Sequence, residues 1–140
     1  MPLIKTLLTA ALVAFTGAAW AHGNAGDGAA PSPVKKEQKA WGIAGDAKAA
    51  RRSIEIRMTD NMRFTPDTLV VRRGETVRLV IRNEGHMLHE FVIGTKKDLD
   101  EHAALMVKFP AMEHDEPYMA HVAPGKTAQL VWNFNRAGRF

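Results

Sequence analysis

Cysteine is absent from all 140 residues, which removes a disulfide framework, a zinc ribbon and a thiol nucleophile from anything these residues build. Stability must therefore come from apolar burial. Also missing are a serine–histidine–acid spacing, an HExxH segment and a glycine loop of the kind that cradles phosphate. The carboxylates gather instead in two runs, residues 98–101 and 113–116, that read as solvated faces. An enzyme is the class least supported, and none is expected. Nor is there a concentrated basic stripe: Lys35-Lys36, Arg51-Arg52, Arg72-Arg73 and Lys96-Lys97 are scattered, so no nucleic-acid partner is expected.

Long hydrophobic runs are nearly absent as well. The one that exists, TLLTAALVAFTGAAW, follows Lys5 and leads to Ala19-Trp20-Ala21, the order of a secretory signal with a small-residue cleavage site. It is too short for a comfortable membrane span and no second run follows, so export to the periplasm without an anchor is expected. Cleavage after Ala21 removes 21 of the 140 residues and leaves 119, with 18 basic against 15 acidic side chains, a formal +3. That length supports one small domain, expected to be a monomer.

What is present divides into a leader and a domain. Residues 22–52 are rich in Ala, Gly, Pro and Lys, with Trp41 and Ile43 as bulky apolar anchors, and read as a flexible leader from which Trp41 tucks back. From Ser53 the texture changes to period two, so the domain is placed at 53–140. Strands are expected near residues 54, 70, 79, 91, 120 and 131. In the third of these Val77, Leu79 and Ile81 face inward, with Thr76, Arg78 and Arg82 outward. In the last, Ala128, Leu130, Trp132 and Phe134 share a face. One short helix is expected from Asp98, its cap, to Pro110, its stop. Six short β segments at this spacing predict an all-β, antiparallel two-sheet sandwich with one helix.

The segments MRFTPDTLVVRRGETVRLVIRNEG, LHEFVIG and AMEHDEPYMAHVAPGKTAQLVWNFNRAGRF, in this order and spacing, resemble an exported cupredoxin, the plastocyanin and azurin type of blue copper domain. The resemblance runs from about Ile54 to Phe140. It implies a Greek-key sandwich with copper near one end, held by a histidine from a middle strand and by a cysteine, a second histidine and a methionine from the loop joining the last two strands. His89 matches the first of these. The other three have no match, because the sequence ends at AGRF, where that loop would begin; the expectation is a fragment lacking its last strand or strands.

The candidate ligands carry competing readings. His89 shares its face with Phe91 and Ile93, so its imidazole points inward and needs a partner; it is the main metal candidate, against the plainer role of a histidine bonded to a backbone carbonyl. His86 and Met87 read as exposed turn residues, although His86 and His89 together could bridge an excess ion weakly. Met112, His114, Met119 and His121 form a looser set of thioether and imidazole suited to Cu(I), against a polar loop with incidental methionines. Met119 and His121 are expected at the surface, opposite Tyr118, Ala120 and Val122. His102 reads as a solvated helix residue, and His22 as a weak N-terminal chelator.

The resemblance thus implies a periplasmic copper protein passing single electrons to a redox partner through an apolar rim near residues 86–88. The alternatives are copper storage, delivery or tolerance without electron transfer, and a metal-free interaction module.

Overall fold

The computed structural model describes residues 34, 36–110, 112 and 114–140; the expected signal at 1–21 and the expected chelator His22 lie outside the described residues. Residues Met1–Ser32 and Pro33–Phe140 separate as two units, and all that follows concerns the second.

The alternation of apolar and polar side chains builds the main sheet. β1 (Ile43–Ala44), β2 (Arg52–Thr59), β3 (Arg63–Thr65), β4 (Thr76–Asn83) and β7 (Thr127–Asn133) lie in the order β1-β7-β4-β2-β3. Val77, Leu79 and Ile81 of β4 are buried, as are Ile56 and Met58 of β2 and Trp132 of β7. β5 (His89–Val92) and β6 (Met119–Val122) form a second, antiparallel sheet of two strands. Phe91, Ile93 and Val122 join Ile56, Met58, Leu79 and Trp132 in one apolar cluster, which closes an all-β sandwich.

Between the two strands of the small sheet the chain forms α1 (Lys96–Lys108). Its N-terminus is capped by Thr95, whose hydroxyl accepts from the Asp98 backbone N–H at 3.3 Å, satisfying one of the donors that an opening turn leaves bare. The cap is thus three residues earlier than Asp98, which instead sits in the first turn where its charge suits the helix dipole.

Three further expectations change. The expected strand at Leu69–Val71 is unpaired, because β3 occupies that edge of β2; Leu69 and Val71 pack against the core from an extended segment. The main sheet is not wholly antiparallel: β2 and β4 run parallel, with Ile54 opposite Leu79 and Ile56 opposite Ile81. A parallel pair needs a crossover of roughly a dozen residues or more, and residues 60–75 supply it. Finally, the packed domain begins before Ser53. Trp41 is 6% exposed, its carbonyl accepts the indole N–H of Trp132 at 2.9 Å, and β1 pairs with β7. Gly42 permits this close return: its φ is +130°, and a Cβ there would lie 2.3 Å from the Asn133 carbonyl oxygen.

Candidate metal centres

β5 presents neighbouring residues to opposite faces of the small sheet, and polar side chains gather on both. On the inner face His89, 7% exposed, heads the strand. Its Nε2 meets Asp60 Oδ1 at 2.9 Å. Asp60 comes from the turn after β2, and the same carboxylate accepts the backbone N–H of His86 at 2.8 Å. It also lies 3.2 Å from His86 Nδ1. The backbone N–H of His86 first, and the His89 ring second, lower the Asp60 carboxyl to about 2. An ionised carboxylate only accepts, so His89 Nε2 carries the proton and Nδ1 of the neutral ring is the nitrogen left for a metal.

Buried Asn83 supports this end from within. Its amide donates to the carbonyls of Met87 and Val122, both at 2.7 Å, and its oxygen accepts the Gly85 N–H at 2.8 Å. The end of β4, the 84–88 loop and the end of β6 are thereby tied together, and Val122 is the residue paired with His89. Gly85 leaves room for the carboxylate, since a Cβ there would fall 2.0 Å from Asp60 Oδ1.

On the opposite face Glu90 is paired across the ladder with His121. Helix α1 and the loop after it bring two more imidazoles over this face. Glu90 Oε2 lies 2.9 Å from His102 Nε2. Glu90 Oε1 lies 3.2 Å from His121 Nε2 and 3.5 Å from His114 Nε2. The His114 ring is 5.1 Å from that of His102 and 5.5 Å from that of His121, centroid to centroid. His114 Nδ1 is 3.0 Å from the Met112 carbonyl, which can only accept, so this nitrogen carries the proton. One ligand atom from each of Glu90, His114 and His121 falls within 4.8 Å of the others.

The candidate residues therefore separate. His89 is inward as expected, and His86 is exposed, its side chain 96% accessible. His114 and His121 come together, but around Glu90 and His102, not around methionine sulfur. Met112 reaches the group through its carbonyl oxygen. Met119 does share a face with His121, yet it is 5% exposed and not at the surface, because α1, through His102, and His114 after it lie over that face. His102 is not solvated: the same cover turns it onto Glu90.

The residues missed are Asp60, Asn83 and Glu90. Glu90 had a usable sign, since parity places it opposite His121 once β5 and β6 pair. Asp60 and Asn83 had none, as their partners lie across the fold.

The family model of the cupredoxin-like domain matches residues 8–116. The chain is 42% identical over 134 residues to a copper-resistant cuproprotein, CopI, of Rubrivivax gelatinosus, covering 96% of this chain and 81% of the relative. A protein of the same description in Pseudomonas aeruginosa is 33% identical over 141 residues, covering 80% of this chain and 77% of the relative. Sequence match, sandwich and the inward histidine at the head of β5 agree, and the chain belongs to the cupredoxin-like domain family.

Proposed function

We propose that this chain is a copper-binding cupredoxin that protects an exported compartment from copper, taking up the ion with His89 as one ligand. The observation that carries the reading is the His89 ring: buried on a paired strand, oriented through Nε2 by an ionised carboxylate, and left with Nδ1 for a metal. A carboxylate on the far nitrogen raises the basicity of the ligating one and fixes its direction. Copper as the ion, and tolerance as the task, draw support from the copper-resistant relatives. The signal pattern of residues 1–21 supports export to the periplasm, and no described helix is long and apolar enough to cross a membrane. A binding role without catalysis fits the lack of any nucleophile and base pairing in the sequence.

Copper of the blue type fits these residues in part. His89 suits the imidazole position, whereas no residue among the 140 supplies the thiolate, so no electron-transfer step is derived through such a centre. Electron transfer remains the second reading, favoured by the exposed apolar side chains of Met62, Met87 and Leu88 near Asp60 and His89, a surface suited to a redox partner.

Titration of the full-length protein with Cu(II) and, without oxygen, with Cu(I) separates the two. Uptake without an intense visible charge-transfer band, together with copper sensitivity of a deletion strain that the wild-type gene repairs and His89→Ala does not, is the result expected for tolerance. An intense band and a respiratory defect with unchanged copper sensitivity would overturn it in favour of electron transfer.

A further inference from the structure

The face of the small sheet turned away from His89 holds a polar contradiction. Glu90 Oε1 and His114 Nε2 are both buried without a hydrogen-bond partner, although they lie 3.5 Å apart. The reason is chemical. In the neutral ring the Met112 carbonyl holds the proton of His114 on Nδ1, and Nε2 then turns a lone pair to a carboxylate oxygen that also has only lone pairs to offer. His121 Nε2 approaches the same oxygen at 3.2 Å. Buried acceptors facing each other are costly unless a cation stands between them.

We infer that Glu90, His114 and His121 form a second metal site for a divalent ion of borderline softness, Cu(II) or Zn(II), independent of His89. Four-coordinate ions with bonds of about 2.0–2.2 Å to imidazole nitrogen and carboxylate oxygen place neighbouring donors about 3.3 Å apart. The separations of 3.2 and 3.5 Å are those of such a polyhedron. Two imidazoles and one carboxylate leave a position for water or an outside donor, and the Irving–Williams order places Cu(II) ahead of Zn(II) in such a set. His102 is a positioning residue: its Nε2–H holds Glu90 Oε2 at 2.9 Å and so aims Oε1 at the two other rings. The backing is firm on three sides, since Glu90 and His121 are paired across a ladder and His102 is on α1, while the half-exposed His121 gives the ion a way in.

The site is tested in the full-length protein carrying His89→Ala, so that failure here is distinct from failure of the His89 reading. Calorimetric titration with Cu(II), and separately with Zn(II), is expected to show one remaining equivalent. Cu(II) paramagnetic resonance should show nitrogen splitting from two imidazoles. In that background Glu90→Gln, His114→Gln and His121→Gln should each remove the equivalent. His102→Gln should keep the stoichiometry and weaken binding about 10–100-fold, the usual size of an outer-shell loss. Because a substitution here could disturb folding, the unsubstituted protein supplies a second measurement: Zn(II) added to two equivalents should shift the imidazole nitrogen resonances of His114 and His121 and leave those of His86 in place. No equivalent left after His89→Ala, binding indifferent to the Glu90, His114 and His121 substitutions, or Zn(II) shifts confined to other histidines would overturn the inference.

Discussion

Replacing Asn83 should damage this protein more than any surface ligand. The side chain is 0% exposed and makes three hydrogen bonds, two as donor and one as acceptor. Asn83→Ala removes the side-chain partner of the Met87 and Val122 carbonyls and of the Gly85 N–H. At about 1 kcal/mol net for each bond, the loss is about 3 kcal/mol, and more where water fails to reach the orphaned groups. For a domain of this size about 4–8 °C is lost per kcal/mol, so the thermal midpoint should fall by about 12–24 °C. Asn83→Asp should fare no better at neutral pH, since it keeps the acceptor, loses both donors and buries a charge. Urea unfolding of wild type and both variants measures the loss directly. A loss below about 1 kcal/mol for Asn83→Ala at an unchanged slope would refute the claim that this amide ties the two sheets together.

Other expectations follow from the same contacts. Gly85→Ala should displace the Asp60 carboxylate, because the new methyl would sit 2.0 Å from Oδ1; the check is loss of the His89 Nε2–H resonance, with copper uptake at His89 weakened. The Asp60 carboxyl is lowered from 3.8 to about 2, so its contribution to stability is present above pH 3.8 and is lost as the pH falls towards 2. Acid titration should show wild type and Asp60→Asn separated at neutral pH and converging near pH 2; a gap that persists unchanged at pH 2 would contradict the assignment. Trp41→Ala should cost about 3–5 kcal/mol in chemical unfolding, since the ring is buried against Tyr118 with centroids 5.3 Å apart. Removal of all residues before Ser53 should cost at least as much, whereas a dispensable leader would leave stability untouched.

Period-two patterning was enough to find the strands whose inner face is continuous, because burial alone dictates that alternation. Val77, Leu79 and Ile81 in β4, and His89 and Phe91 in β5 with Ile93 just after it, show it. The pattern was silent where chain separation decides the outcome. Leu69 and Val71 read as a strand, but pairing depends on which edge of β2 is vacant, and Arg63–Thr65 takes it. Trp41 stood in a polar, glycine-rich stretch, and its burial is fixed by Trp132, 91 residues away. The same limit governs the metal chemistry. His89 could be placed by parity, whereas its orienting carboxylate arrives from 29 residues earlier. His102 and His114 look unrelated to Glu90 along the chain, and only α1 and the loop after it bring them to the carboxylate that strand pairing sets opposite His121.

His89 and Glu90 are consecutive, so one peptide unit separates two sets of ligands that face opposite ways. A slip of β5 against β6 by a single residue would turn the imidazole outward and the carboxylate inward, exchanging their surroundings at a stroke. Neither set can therefore be tuned by a shift of register without undoing the other. Substitution is the one route open to independent change, and the four-residue strand acts as a shared ruler that both sides must respect.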